Sequence, residues 1–148
     1  MNTVYPTPCV PSPQRWTSRL AVVTLHSFSG DTLRLYYEPQ PTAPARTDGL
    51  DIAPLFEVLP GLRRHRCDNG QHRSFFDEAR HTETAHLFEH VLIELLAASG
   101  QPRSQIQGAT NLDEAPRRYR VKVSGWESVA QAEDCIEKAL HLLESREL

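Results

Sequence analysis

The chain has 148 residues, of which 39% are hydrophobic and 24% charged, a length and composition that suit one soluble domain. Its net charge of −3 predicts no strong attraction to nucleic acid or to an anionic membrane surface. The sequence contains no apolar run of about 18 residues that could span a bilayer, and its N-terminus lacks an apolar signal core. We therefore expect a cytoplasmic protein whose partners include neither nucleic acid nor a membrane.

The cysteines Cys9, Cys67 and Cys135 are widely spaced and form no C-x-x-C pair. An odd and sparse set argues against a disulfide framework and favours free thiols in a reducing compartment. Cys135 falls in a predicted helix, where we expect it to be part of the core.

The first 14 residues are predicted to form an extended, flexible tail, because four prolines oppose both helix and strand. Residues 15–148 are predicted to form a single domain. Residues 19–27 and 32–38 are rich in β-branched and alternating apolar residues, and Gly30 lies between them, so they predict a β-hairpin.

Residues 51–59 predict a short helix, with Asp51 as an acidic cap and Pro54 in the first turn. It ends at Pro60, and residues 63–73 form a polar loop with four arginines and two histidines. Such a loop is either simply solvated or a rim that binds an anionic group, since arginine suits carboxylates.

Ser74 is typical of the N-cap of another short helix, which breaks near residues 80–82. Thr82 is then predicted to cap a longer helix that runs to about Ser99 and ends at Gly100. Residues 106–110 predict a short edge strand, and residues 118–126 alternate polar and apolar side chains in the manner of a strand.

A capping box at Ser128 and Gln131 opens the last helix. Its predicted apolar stripe consists of Val129, Ala132, Ile136, Ala139, Leu140 and Leu143. Strands joined by hairpins and combined with amphipathic helices predict an α+β domain. We expect two layers, a mainly antiparallel sheet with the helices packed on one face.

The strongest chemical signal is the H-x-x-E-H order of His86, Glu89 and His90 inside the long helix, the order found in inverted zincins. Residues four apart lie one turn apart on one helix face, so His86 and His90 can bind one zinc ion. Glu89 lies between them and would act as general base toward a water activated by the metal. Solvated histidines on a surface helix are the alternative interpretation.

A catalytic zinc site needs a third protein ligand. Glu94 is the first candidate, because it follows His90 by about one turn and a long side chain could bend back. Glu94 could instead be an acceptor that orients His90. The remaining candidates are His65, Cys67 and Glu127.

Several short motifs resemble the N-terminal domain of cyanophycin synthetase across about residues 50–148. They are Leu59-Pro60-Gly61-Leu62, His65-x-Cys67-x-x-Gly70, Phe75-Phe76, Thr82-x-x-x-His86-x-x-Glu89-His90-Val91-x-x-Glu94-Leu95, Gly108-x-Thr110 and Tyr119-x-Val121.

The resemblance implies a domain like those that trim the β-Asp-Arg polymer as a metallopeptidase, with His86 and His90 as metal ligands and Glu89 as base. We assign His65 and Thr82, which fall within the motifs, as candidate substrate-binding residues. The family's Thr-Arg after the glycine reads Thr110-Asn111 here, so one arginine that could hold substrate is absent.

The chain has no room for ATP-dependent ligase domains, so we expect it not to be a ligase. The sequence therefore predicts a zinc-dependent amide or peptide hydrolase that acts on β-Asp-Arg polymer or related peptides. A non-catalytic binding or assembly module with the same fold is the alternative. A homo-oligomer is left open.

Overall fold

The computed structural model describes residues 14–66 and 74–145. The predicted N-terminal tail up to residue 13, and with it Cys9, lies outside this part of the chain. So do residues 67–73 of the predicted polar loop, including Cys67. The boundaries of the predicted domain and tail therefore stay predictions.

In this part of the chain, five antiparallel strands form one open sheet in the order β1-β2-β3-β5-β4. The bounds are β1, Arg15–Thr17; β2, Ala21–Ser29; β3, Thr32–Pro39; β4, Gln107–Leu112; and β5, Tyr119–Ser124. The hairpin and the later strands are confirmed, whereas the three-residue edge strand β1 was not predicted. The prolines just before it favour a tail, and β1 forms only because β2 offers it a partner.

Among the described residues, four helices accompany the sheet: α1, Ala53–Val58; α2, Phe75–Glu78; α3, Thr84–Ala98; and α4, Val129–Ser145. Short 3₁₀ turns cover Pro60–Arg64, Ala79–His81 and Arg103–Gln105. Along β5, Tyr119, Val121 and Val123 are buried while the residues between them are exposed. One sheet face is thus covered and the other open, which confirms the predicted α+β class.

Helix α3 contacts β3, β4 and β5, and α4 packs against α3. The hydroxyl of the buried Tyr37 on β3 donates to Thr84 Oγ1 at 3.2 Å, which ties the start of α3 to the sheet. Cys135 is buried on α4, as predicted. No helix in residues 14–66 and 74–145 combines the length and apolar character needed to cross a membrane.

Two local predictions were wrong. The N-cap of α3 is Glu83, with no side-chain cap hydrogen bond, because the Thr82 hydroxyl is used by Glu83 and His86 instead. Val129 does not belong to the buried stripe of α4: it is 38% exposed, because the first turn of the helix extends beyond the core.

Candidate metal centre

A cavity of about 990 Å³ lies between the N-terminal half of α3 and strand β4. His86, Glu89 and His90 line it from the helix, while Gly108 and Thr110 line it from the strand. The predicted H-x-x-E-H residues therefore face one opening rather than the packed core.

His86 and His90 present the same ring nitrogen to each other. Their Nε2 atoms lie 3.1 Å apart, and ligand atoms of His86, Glu89 and His90 all lie within 4.8 Å of one another. Two zinc–nitrogen bonds of about 2.0–2.1 Å span such a separation. The residues present thus fit a divalent metal ion.

The outer nitrogens of both rings are engaged by neighbouring side chains. Thr82 Oγ1 lies 2.8 Å from His86 Nδ1 and also donates to Glu83 Oε2 at 3.1 Å, so the hydroxyl oxygen accepts the Nδ1 proton of His86. His65 Nδ1 lies 2.9 Å from His90 Nδ1. Each ring then turns the lone pair of its Nε2 toward the other, the arrangement that a shared cation requires.

A hydrogen-bonded chain continues from His90 through His65 to Glu94. His65 Nε2 donates to Glu94 Oε1 at 2.9 Å, which leaves His65 Nδ1 as the acceptor for the Nδ1 proton of His90. Arg103 completes the chain, since its two terminal nitrogens donate to the two carboxylate oxygens of Glu94 at 2.6 and 3.0 Å. This sequence of donors fixes the tautomer of His90.

Burial keeps these imidazoles neutral, which is the form that binds metal. It lowers the pKa of His65 and of His86, and it brings the pKa of His90 well below its usual value, with help from the two neighbouring rings. Burial would raise the pKa of Glu94, but the hydrogen bonds from Arg103 and His65 outweigh it and hold this pKa low. Glu94 therefore stays a carboxylate.

Glu89 has the opposite character. Burial raises its pKa to about 7, although a hydrogen bond from Thr110 Oγ1 to Oε1 at 2.7 Å acts in the other direction. Its second oxygen, Oε2, lies 3.8 Å from His90 Nε2. A carboxyl group that titrates near neutrality can both take up and release a proton.

Strand β4 passes close to Glu89 at Gly108. A Cβ atom on Gly108 would lie 2.5 Å from Glu89 Oε2 and 2.8 Å from Ile93 Cδ1, so a larger residue there would require the ends of these two side chains to move. The Gly108-x-Thr110 motif thus provides space at one position and a hydrogen-bond donor at the other.

The structure brings all six predicted site residues into one connected cluster around the histidine pair. Thr82 and His65 contact His86 and His90, although we had assigned them to substrate. Glu94 lies beyond His65, and its role as a metal ligand stays a prediction. Of the other candidates, Glu127 is exposed and Cys67 lies outside the described residues.

Sequence reasoning missed Arg103. In the sequence Arg103 is notable only because it follows Pro102, and an arginine in that position usually belongs to a solvated loop. The signal that could have found it is Gly61: a Cβ atom there would collide with the Glu94 carboxylate and lie 2.7 Å from Arg103 Nη2. The Pro60-Gly61 motif therefore makes room for this ion pair.

Residues 63–66 of the predicted polar loop belong to the described part of the chain. Arg64 and Arg66 line the cavity, which agrees with the idea of a binding rim. Arg63 instead lies over the rings of Phe56 and Phe76, so that side chain contributes to packing.

The fold and the cluster define a class of protein: an α+β domain with a buried His-Glu-His group that could hold a metal ion. The family model for the cyanophycin synthase-like N-terminal domain matches residues 38–146 of the sequence. The chain therefore belongs to this family. No curated protein matches the chain.

Proposed function

We propose that this protein is a zinc-dependent amide or peptide hydrolase acting on β-Asp-Arg polymer or related peptides. The observation that carries the proposal is the convergence of His86 Nε2 and His90 Nε2 at 3.1 Å, beside the buried Glu89 carboxylate. A purely structural metal site needs no carboxylate that titrates near neutrality between its ligands.

In this proposal His86 and His90 are two of the three protein ligands that a catalytic zinc ion needs, and Glu94 stays the candidate for the third. Bound zinc would lower the pKa of a water molecule and polarise the scissile carbonyl. If Glu94 does not bind the metal itself, it acts through His65, which it holds in place so that His65 orients His90, as acceptors behind metal-bound histidines generally do.

Glu89 moves the proton. Thr110 engages Oε1, so Oε2 is the atom that takes a proton from the attacking water. The water oxygen bonds to the carbonyl carbon and the carbon–nitrogen bond breaks. The proton then passes from Glu89 to the leaving amine, so the carboxylate is regenerated.

The rim of the cavity suits a substrate with charges of both signs. Arg64 and Arg66 provide cations and Glu83 an anion at the same opening. Each unit of β-Asp-Arg polymer carries a guanidinium and a free carboxylate, so it can pair with both kinds of side chain. Other peptides with mixed charge share this chemistry.

The missing arginine at position 111 bears little on this site. Thr110 faces Glu89, whereas Asn111, the next residue on the strand, points to the open sheet face beside Arg120. An arginine there would extend away from the metal centre. Its absence is therefore a weak argument for the alternative of a non-catalytic binding module.

The test measures zinc content and peptide cleavage together. Protein purified without chelator should hold one zinc, and His86→Ala and His90→Ala should lose it, whereas the exposed His141→Ala on α4 should not. Glu89→Gln should keep zinc and lose cleavage of β-Asp-Arg polymer and of ordinary peptides.

Three outcomes would change the proposal. Unchanged metal content in His86→Ala would remove the site. Loss of zinc in Glu89→Gln would make Glu89 a ligand rather than the base. One equivalent of zinc without cleavage of any peptide would favour the binding module.

A further inference from the structure

We propose that the outer edge of β4 is the substrate-binding edge of this site, and that it binds an extended peptide main chain as an added sixth strand. The proposal rests on the proposed function for the chemistry of the site. It concerns backbone groups, however, and its test does not require turnover.

Strand β4 is an edge of the sheet, since only β5 pairs with it within residues 14–66 and 74–145. One hydrogen bond shows which residues of β4 form hydrogen-bonded pairs with β5. The Asp113 N–H donates to the Arg118 carbonyl at 2.7 Å. Bonded pairs alternate along an antiparallel ladder, and the register is constant from Gln107 to Leu112. Ala109 and Asn111 therefore bond to β5.

It follows that Gly108 and Thr110 direct their N–H and C=O groups away from β5, toward the outside of the sheet. Both residues line the cavity of the metal centre. Their side-chain positions face Glu89, which Thr110 contacts directly. Four backbone hydrogen-bonding groups are thus presented in a row beside the proposed general base.

The composition of this edge also favours pairing. Exposed edge strands usually carry lysine, proline or a bulge that prevents another strand from joining. Strand β4 has the sequence Gln-Gly-Ala-Thr-Asn-Leu, without charge or proline and without a break in register. The opposite edge, β1, is only three residues long and carries Arg15.

A peptide main chain is the occupant that fits these groups. Strand addition satisfies donors and acceptors with the regular spacing of an α-peptide, and it leaves alternate side chains to the walls of the cavity. The aspartates of β-Asp-Arg polymer form such a main chain, as do the residues of any ordinary peptide. A peptide on β4 places its carbonyls next to Glu89.

Hydrogen exchange of single amides tests the idea. The probes are an oligomer of six β-Asp-Arg units and an acetylated hexapeptide of alternating aspartate and alanine. They are added to Glu89→Gln protein, with and without zinc, so that no cleavage interferes. The Gly108 and Thr110 amides should exchange fast in free protein and about tenfold or more slower with bound probe.

The neighbours Ala109 and Asn111 are matched controls, because their amides already bond to β5 and should change little. N-methylation of the hexapeptide, one residue at a time, should weaken binding at every second position only. That period of two distinguishes strand pairing from binding through side chains.

Three results would overturn the proposal. One is a probe that binds without slowing Gly108 and Thr110. Another is no binding of either probe at millimolar concentration. The last is slow exchange in free protein that depends on protein concentration, which would mean that a second copy of the chain covers the edge. Protection in a protein that neither binds zinc nor cleaves peptides would sustain this inference and end the hydrolase proposal.

Discussion

Thr110 Oγ1 donates to Glu89 Oε1 at 2.7 Å, so a residue of the edge strand holds the carboxylate of helix α3. The bond favours the charged form of Glu89 and opposes the effect of burial, which raises its pKa to about 7. It also leaves Oε2 as the oxygen that can face a water. The strand thereby positions the group on which the proposed chemistry depends.

Thr110→Val should shift the pH dependence of peptide cleavage. Without the hydroxyl, burial acts alone and the pKa of Glu89 rises further, so the acid limb of the pH–rate profile moves to higher pH. Loss of a hydrogen bond to a charged group typically costs about 1.5–3 kcal/mol, or about one to two pKa units, so the rate at pH 7 should fall by roughly five- to fiftyfold as the charged fraction of Glu89 falls. Thr110→Ser keeps the donor and should behave like the original protein. An unshifted acid limb in Thr110→Val would show that Glu89 is not the titrating base.

Gly108→Ala should strongly reduce the rate of peptide cleavage and reduce the free energy of unfolding only moderately. The new Cβ atom would lie 2.5 Å from Glu89 Oε2, so the carboxylate or the strand must move. Overpacking of this kind costs about 1–3 kcal/mol, which urea unfolding can measure. Ala109→Ser, at an exposed position of the same strand, is the control. Full activity in Gly108→Ala would mean that the position of Glu89 is unimportant.

Substitutions at Glu94 distinguish a direct metal ligand from a residue that orients His90 through His65. If Glu94 orients His90 through His65, Glu94→Ala should weaken zinc binding by about 10- to 100-fold, as is usual for residues behind metal ligands. Glu94→Gln keeps an oxygen that accepts from His65 and should bind zinc nearly as well as the original protein. Titration with a competing chelator measures both. Equal and complete loss of zinc in the two variants would instead indicate that Glu94 is a direct ligand.

Tyr37 should make the protein less stable as the solution becomes alkaline. Burial raises its pKa from 10.0 to about 12, so between these values the unfolded chain loses the phenol proton while the folded chain keeps it. The unfolded state then binds fewer protons, and the free energy of unfolding falls with rising pH by about 2–3 kcal/mol in total. Stability from this group is complete below pH 10 and is lost toward pH 12.

Urea unfolding between pH 7 and 11 checks the alkaline prediction. Tyr37→Phe should lack this part of the pH slope, and at pH 7 it should lose about 1 kcal/mol because its hydrogen bond to Thr84 is gone. Tyr36→Phe, on the other face of the same strand, should keep the slope. The same slope in the Tyr37 variant would assign it to other groups.

Local patterns determined much of the fold. Alternation along β3 and β5 depends on burial of one strand face, which period and composition encode directly. Helix α3 forms as predicted, although its polar residues Glu89, His90 and Glu94 are buried as well as its apolar ones. The predictions that were wrong concern residues whose structure depends on a contact with another residue or strand. Strand β1 forms only against β2, and Thr82 leaves the cap of α3 because His86 and Glu83 take its hydroxyl.

The sequence by itself determined that His86, Glu89 and His90 share a helix face, because four residues make about one turn. Only the tertiary structure decided what surrounds them. The chain from His90 through His65 to Glu94 and Arg103, and the bond from Thr110 to Glu89, join segments far apart in sequence. Helical spacing carries no information about such contacts, which arise when the sheet and α3 pack together.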